Sequence, residues 1–171
     1  MIDYKHKQPF GDRLSIALKK FETPLCVGID PHISLMPEFF KSPNRKQQIE
    51  KIKSFSLSCI DAAQNRVPAI KPQVALFEKF GPEGMEVLQQ IGENARSAGL
   101  LAIMDAKRGD IGSTSAAYAD AWLGENAAFY CDALTVNPFL GLDTLEPFIE
   151  KAIQGNNGLF ILLKTSNPGS S

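Results

Sequence analysis

The sequence is short of several residue types, and each shortage argues against a class of protein. Its only histidines, His6 and His32, are too few for a histidine-based metal site and fit no catalytic triad. No apolar run approaches the roughly 18–20 residues of a membrane span, and the start, MIDYKHKQPF, is too polar for a secretory signal. The 18 Lys+Arg nearly balance the 19 Asp+Glu, which excludes nucleic-acid binding through bulk positive charge. We therefore expect no metal, no membrane and no nucleic-acid partner.

Cysteine is also scarce, with Cys26, Cys59 and Cys131 scattered along the chain in apolar surroundings. An odd, scattered set argues against a disulfide framework and indicates reduced, buried thiols in a cytoplasmic protein. The sequence lacks the glycine-rich loops that bind phosphates in P-loop and dinucleotide-binding proteins. A charged fraction of 22% with 11 Phe excludes a disordered chain. No linker divides residues 1–171, so we expect a single domain without an internal boundary.

What the sequence does contain is an alternation of short apolar runs and segments of helical period. The runs begin near residues 25, 67, 100, 133 and 159, and helical patterns cover residues 13–21, 44–64, 85–95, 114–123 and 145–153, with Gly99 able to end the third. Continuous apolar runs about 30 residues apart are typical of parallel strands buried on both faces and joined by helices. We predict an α/β domain with at least five parallel strands. The periodicity leaves open whether the sheet is doubly wound or part of a (β/α)₈ barrel.

Charged residues follow the predicted strands. Asp30 follows the first strand, Lys71 the second, and Asp105 and Lys107 the third. Because parallel strands end at one edge, these side chains are expected to meet there, and residues two apart on an extended backbone project to the same side. Asp30 or Lys71 alone is equally consistent with a helix cap or a solvated loop. Together, alternating carboxylates and lysines predict a charge network that keeps a lysine protonated as a general acid.

The spacing of these residues resembles a known family. The string Asp105-x-Lys107-x-x-Asp110-Ile111, with Thr114 nine residues after Asp105, is similar to the signature of orotidine 5′-phosphate decarboxylase. The resemblance covers essentially the whole chain. Its segments Lys71-Pro72-Gln73 and Thr165-Ser166-Asn167-Pro168-Gly169 look like those of the longer bacterial branch. The related 3-keto-gulonate phosphate decarboxylases share the D-x-K-x-x-D string but carry a carboxylate where this sequence has Lys71.

The resemblance implies a (β/α)₈ TIM-barrel fold and the conversion of orotidine 5′-monophosphate to uridine 5′-monophosphate in pyrimidine biosynthesis. Lys107 would protonate C6 of the pyrimidine as carbon dioxide leaves. Asp105 would lie beside the substrate carboxylate, and Lys71 would hold Asp105 and a ribose hydroxyl. Asp30 would bind the ribose, and Ser166 would meet the pyrimidine ring. The family implies no metal and no organic cofactor.

The resemblance also implies a homodimer with composite active sites. Asp110, Ile111 and Thr114 would reach into the active site of the partner subunit. Asp110 would thereby join the catalytic residues, and the other two would help to bind the substrate nucleotide.

The length departs from the family pattern. A barrel of this kind needs about 250 residues, so 171 residues hold about five of eight β-α units. The loops that commonly grip phosphate follow the last strands, and we expect the chain to be the N-terminal part of a longer enzyme, lacking its C-terminal part, and a poor catalyst by itself. Two alternatives stay open: a sister sugar-phosphate decarboxylase or aldolase, and a non-catalytic binding fragment.

Overall fold

The computed structural model describes residues 8–170, so His6 lies outside the described residues. Within that range five strands alternate with helices. The strands are β1 (Cys26–Ile29), β2 (Ala69–Pro72), β3 (Leu101–Arg108), β4 (Ala133–Val136) and β5 (Gly158–Ile161). The helices are α1 (Phe10–Phe21), α2 (Arg45–Ala63), α3 (Ala75–Glu78), α4 (Pro82–Ser97), α5 (Gly112–Trp122) and α6 (Glu146–Gly155), and three short 3₁₀ turns occupy Glu38–Phe40, Leu142–Thr144 and Pro168–Ser170. The predicted strands are confirmed; α3 was not predicted, because four residues are too few to show a helical period.

The sheet decides between the two architectures that periodicity left open. All neighbouring strands are parallel, and their spatial order is β1-β2-β3-β4-β5. A doubly wound sheet reverses its strand order at a switch point, whereas a barrel adds each strand beside the previous one. The sequential order is that of five β-α units of a (β/α)₈ barrel, as predicted. The expectation of a single domain over residues 1–171 stays a prediction.

Two apolar clusters cover the two faces of the sheet. The outer face packs against α2, α4, α5 and α6 through a large core that includes Ile70, Met104 and Leu134. The inner face carries Ala69, Leu101, Ile103 and Ala133, which pack against Phe10, Leu14 and Ala17 of α1. Helix α1 therefore closes the inner face near the amino ends of the strands. The carboxyl ends of the strands face away from α1.

The ends of two helices follow local sequence signals. Asn44 caps α2 by accepting a hydrogen bond from the backbone N of Gln47 at 3.2 Å. Helix α4 starts with Pro82 and is followed by Gly99 at φ +73°, as expected for the helix-ending glycine. In the described part of the chain, no helix combines the length and apolar character that crossing a membrane requires.

The prediction that all five strands are buried on both faces is wrong for β1 and β5. Cys26 of β1 is exposed, as are Phe160 and Ile161 of β5, whereas all four residues of β4 are buried. These two strands are the edges of the sheet, and each has a neighbouring strand on one side only among the described residues. The prediction of three buried thiols holds for Cys131 alone: Cys26 is exposed on β1, and Cys59 in α2 is half-buried.

Candidate functional site

The centre of the site is the carboxylate of Asp105 on β3, which is 7% exposed. Oδ2 accepts hydrogen bonds from Nζ of Lys71 at 2.8 Å and from Nε2 of Gln73 at 3.1 Å. Oδ1 accepts from Nζ of Lys107 at 2.5 Å and from Oγ1 of Thr135 at 3.0 Å. The carboxylate therefore takes four hydrogen bonds, and two of the donors are ammonium groups.

The strand register explains how these residues meet. Gln73 lies opposite Asp105 in an isolated parallel bridge, and Lys71 precedes Gln73 by two residues. Side chains of laterally paired residues, and of residues two apart on one strand, share a face of the sheet. Lys71 on β2 and Gln73, which directly follows β2, consequently flank Asp105 from one side. Thr135 on β4 approaches it from the other side.

Lys107 reaches Asp105 through an irregularity in β3. Met104 pairs with Leu134, but the next pair along joins Arg108 to Val136, so β3 contains two extra residues at this point. Lys107 itself has a backbone φ of +49°, in the left-handed region that residues other than glycine rarely adopt. The contact between Lys107 and Asp105 was predicted, but the extended backbone assumed for it was wrong. A β-bulge turns the lysine back toward the carboxylate.

The two lysines keep Asp105 ionised. Burial alone would raise the pKa of this carboxyl group, but the hydrogen bonds from Lys107 and Lys71, the positive charge of Lys71 and the hydrogen bond from Thr135 outweigh it. The pKa of Asp105 therefore lies below its ordinary value. The side chains of Lys71 and Lys107 are 37% and 42% exposed, so both ammonium groups are open to the solvent side of the site.

Asp30 lies on the same side of the sheet as Lys71. Gly28 is the register partner of Lys71, and a Cβ placed on Gly28 would be 3.7 Å from Oδ2 of Asp30. The Asp30 carboxylate thus folds back over Gly28, next to the strand that carries Lys71, and is exposed. His32 follows in the same loop and is also exposed.

The other predicted site residues lie on loops or at the start of α5, and within residues 8–170 none of them forms a hydrogen bond or ion pair with Asp105. Asp110 is half-buried, and its Oδ1 accepts a hydrogen bond from the backbone N of Ile111 at 2.8 Å. Ile111 is 61% exposed, and Thr114 in the first turn of α5 is exposed. Ser166 is exposed in the loop after β5. These four residues follow β3 or β5 at the carboxyl ends of the strands.

Sequence reasoning missed three participants. In the sequence Thr135 is one residue of an apolar run, and Gln73 is one residue of the segment that resembles the family, although its position two residues after Lys71 is a usable signal. The third is Arg108, which pairs with Glu78 of α3 and lies over the rings of Tyr118 and Trp122 at 5.5 and 5.6 Å. Arg108 thereby joins the end of β3 to α3 and α5. Among the described residues, no three His, Cys, Asp or Glu side chains group as a metal site would require.

Fold and site together define a class of protein: a parallel α/β barrel domain with a polar, charged site at the carboxyl ends of its strands. Enzymes built on such barrels carry their active sites at this edge. The sequence profile of the orotidine 5′-phosphate decarboxylase / HUMPS family matches residues 23–171. The chain therefore belongs to this family.

Individual relatives agree with this assignment. The chain is 47% identical over 161 residues to an orotidine 5′-phosphate decarboxylase of Streptomyces coelicolor, covering 94% of this chain and 56% of the relative. A crystal structure from Streptomyces avermitilis, provisionally designated orotidine 5′-phosphate decarboxylase, superposes with a TM-score of 0.90 at 45% identity, covering 99% of this chain and 58% of the other. The OMP decarboxylase structure of Leishmania donovani gives a TM-score of 0.72 at 33% identity, covering 95% and 56%. The chain thus spans little more than half the length of these relatives.

Proposed function

We propose that this chain carries the carboxylate–lysine centre of a carbon–carbon lyase that decarboxylates orotidine 5′-monophosphate to uridine 5′-monophosphate. The observation that carries the proposal is the position of Asp105 between Lys71 and Lys107, which pairs an ionised, buried carboxylate with two accessible ammonium groups. Relatives named orotidine 5′-phosphate decarboxylase support the same substrate. We also propose a cytoplasmic location, which fits the absence of a disulfide framework.

The proposed chemistry assigns one role to each charged group. The bond between C6 of the pyrimidine and the carboxylate carbon breaks, the electron pair stays on C6, and C6 then takes a proton from Nζ of Lys107. An ammonium group aimed at this developing charge stabilises it electrostatically, and fixed groups of this kind make large contributions to catalysis. Asp105 lies beside the leaving carboxylate and repels it, and departure of neutral carbon dioxide removes that repulsion.

The remaining roles concern the substrate. Lys71 holds Asp105 in place and donates to a ribose hydroxyl, and Asp30, on the neighbouring strand exit, accepts from the ribose. Ser166 in the loop after β5 contacts the pyrimidine ring. The position of Asp30 over Gly28, beside Lys71, supports a ribose site that these two residues share.

We further propose that the enzyme is a homodimer whose active sites include Asp110, Ile111 and Thr114 from the partner subunit. The loops after β3 and β4 adjoin, because a Cβ on Gly109 would lie 2.8 Å from the backbone O of Asn137. They carry several exposed apolar side chains: Ile111 at 61%, Phe139 at 87%, Leu140 at 50% and Leu142 at 73%. A cluster of exposed apolar side chains on adjoining loops favours a protein–protein contact.

A decarboxylation assay tests the reaction directly. The chain is assayed alone and mixed with the part of the Streptomyces coelicolor relative that lies outside the match, following the conversion of orotidine 5′-monophosphate to uridine 5′-monophosphate. We expect turnover in the mixture, and little with either polypeptide alone, because binding of the remote phosphate drives the chemistry. Absence of turnover in a mixture that forms a folded complex would contradict the proposal.

A thermal-shift experiment tests the substrate class. A ligand that binds the folded state raises Tm according to its concentration relative to Kd. We expect uridine 5′-monophosphate to raise Tm of the mixture without added magnesium. A shift with a pentulose phosphate and magnesium, but none with uridine 5′-monophosphate, would instead assign the sister sugar-phosphate chemistry.

Mixing two inactive variants tests the composite site. Lys107→Ala and Asp110→Ala each remove one group from every site of their own homodimer. In a mixed dimer, one of the two sites receives both intact groups. We expect partial recovery of turnover after subunit exchange, and no recovery despite demonstrated exchange would rule out the shared site.

A further inference from the structure

We propose that Thr135 is a positioning residue that holds Asp105 and Lys107 in their mutual arrangement through a single hydroxyl group. Its catalytic meaning rests on the proposed function, but its structural content does not. Thr135 Oγ1 lies 3.0 Å from Oδ1 of Asp105 and 2.9 Å from the backbone N of Lys107. This hydroxyl bonds to both residues of the proposed acid–carboxylate pair.

The direction of both hydrogen bonds follows from the chemistry of the groups. The backbone N–H of Lys107 can only donate, so Oγ1 of Thr135 accepts from it. The hydroxyl has one proton of its own, and the ionised Asp105 can only accept, so that proton points to Oδ1. The chain of donors therefore runs from the Lys107 backbone through Thr135 to the carboxylate. The hydrogen bond to Oδ1 is stronger when Asp105 is ionised, because a charged acceptor strengthens the bond.

The position of Thr135 in the sheet explains why a hydroxyl is needed. Leu134 and Val136 pair with Met104 and Arg108, so Thr135 is the one β4 residue opposite the widened stretch of β3. The extra residues of a bulge lose their regular ladder partners. The side chain of Thr135 supplies a partner for the Lys107 backbone at that point, where the left-handed φ of +49° otherwise lacks support from regular pairing.

Burial makes Thr135 suited to this role. It is 7% exposed, and its neighbours Leu134 and Val136 are fully buried on the opposite face of β4. A β-branched side chain in a strand has few accessible χ1 rotamers, so the hydroxyl is held in one place. Lys71 and Lys107, the charged groups in contact with Asp105, reach it with long side chains of several rotatable bonds that are partly exposed. Thr135 is the more rigid partner.

Two substitutions separate the hydroxyl from the packing of the side chain. Thr135→Val keeps the branched shape and removes the hydroxyl, whereas Thr135→Ser keeps the hydroxyl and removes the methyl group. Ser56→Ala serves as the control, because Ser56 is a fully buried hydroxyl in α2 that donates only to the Ile52 carbonyl of its own helix. None of the three changes alters the charge of the protein.

Two readouts on the chain itself report the proposed bonds without any turnover. The first is the pKa of Asp105, followed by ¹³C NMR of the side-chain carboxyl and assigned with Asp105→Asn. The second is hydrogen exchange of the Lys107 backbone amide. In Thr135→Val we expect a higher pKa of Asp105 and amide exchange faster by roughly five- to tenfold, the factor that corresponds to one ordinary hydrogen bond.

Each outcome decides the proposal. Thr135→Ser and Ser56→Ala should behave like the wild type in both readouts. Wild-type values in Thr135→Val would overturn the proposal, as would equal effects of the Ser and Val substitutions, which would assign the role to packing. If Thr135→Val fails to fold, Thr135→Ala against Thr135→Ser gives the same contrast.

In the mixture that shows turnover, Thr135→Val should lower kcat and shift the acidic limb of the kcat–pH profile to higher pH. Thr135→Ser should have the kcat and the pH profile of the wild type. Wild-type kcat and pH profile in a folded Thr135→Val would overturn the positioning role. An inactive wild type whose variants still show the expected pKa and exchange changes would contradict the proposed function while leaving the structural role of Thr135 intact.

Discussion

Two buried aspartates at opposite ends of the sheet hold cations in different ways. Asp132, directly before β4 on the amino side, is 1% exposed and pairs with Arg13 of α1. Asp105, on the carboxyl side, is 7% exposed and pairs with Lys71 and Lys107. Both carboxylates are thus removed from water and neutralised by basic side chains. Their partners differ in rigidity and in access to solvent.

Asp132 and its partner Arg13 both form several further hydrogen bonds. Asp132 also accepts from the hydroxyl of Tyr130 and the backbone N of Ala102, both at 2.9 Å. The Arg13 guanidinium donates further to the carbonyl oxygens of Gln8 and Asn156. Such a saturated pair fastens α1 to the sheet. The lysines of Asp105 instead have partly exposed side chains, which leaves them able to contact a ligand. This difference supports the proposal that the amino side is structural and the carboxyl side functional.

The largest effect is expected for Lys107→Ala. Because Lys107 is the proposed proton donor, its loss should lower kcat by about 10³-fold or more, comparable to removing a strong transition-state donor. The lysine is partly exposed, so stability should change by at most about 1 kcal/mol. Turnover assays and urea unfolding measure the two quantities. Wild-type turnover in this variant would contradict the proposal that the carboxyl side of the sheet is functional and the amino side structural.

The reverse pattern is expected for Arg13→Ala. Removing the cation leaves Asp132 charged and almost completely buried, which should cost about 3–5 kcal/mol of stability. The matched control is Lys71→Ala, which removes one of two cations from Asp105 and should cost at most about 1 kcal/mol. Urea unfolding at neutral pH compares the two variants. Equal losses would mean that both aspartates serve the same structural purpose.

Two glycines test the difference in packing between the same two ends. A Cβ on Gly158, the first residue of β5, would overlap the ring of Phe10, so Gly158→Ala should cost about 1–3 kcal/mol through overpacking. A Cβ on Gly28 of β1 would meet only Asp30, at an ordinary 3.7 Å. Gly28→Ala should therefore change stability by no more than about 0.5 kcal/mol. Thermal unfolding of both variants checks the pair, and a more costly Gly28→Ala would contradict an open carboxyl side.

The sequence was sufficient to predict which strand ends carry the charged residues. It was not sufficient to predict which hydrogen bonds join them. Asp105 and Lys71 could be predicted because each directly follows an apolar run, where parallel strands expose their ends. The part played by Thr135 could not be predicted, since a hydroxyl inside an apolar strand has no signal until the neighbouring strand is known to bulge. Phe160 is exposed on β5, which is an edge strand among the described residues. An apolar run in the sequence has the same pattern in a central strand and in an edge strand.

The smallest expected effect is on stability at acidic pH. It separates the contribution of Asp105 to the free energy of unfolding from that of the rest of the chain. The pKa of Asp105 is lowered in the folded protein, so below its ordinary value of about 3.9 the unfolded chain takes up the proton first. The stability that the ionised carboxylate contributes is therefore fully present above that pH. It is lost as the pH falls through the pKa of the folded state.

We consequently expect Asp105→Asn to be less stable than the wild type at neutral pH, with the difference shrinking as the pH is lowered. Urea unfolding of both proteins from about pH 7 to pH 2.5 measures this difference across the relevant range. Asp61→Asn, which removes an exposed carboxylate from α2, reports what the loss of one negative charge does by itself. A wild-type advantage that stays constant down to the lowest pH would mean that Asp105 contributes through packing and not through its charge, and the contrast with Asp132 would then rest on exposure alone.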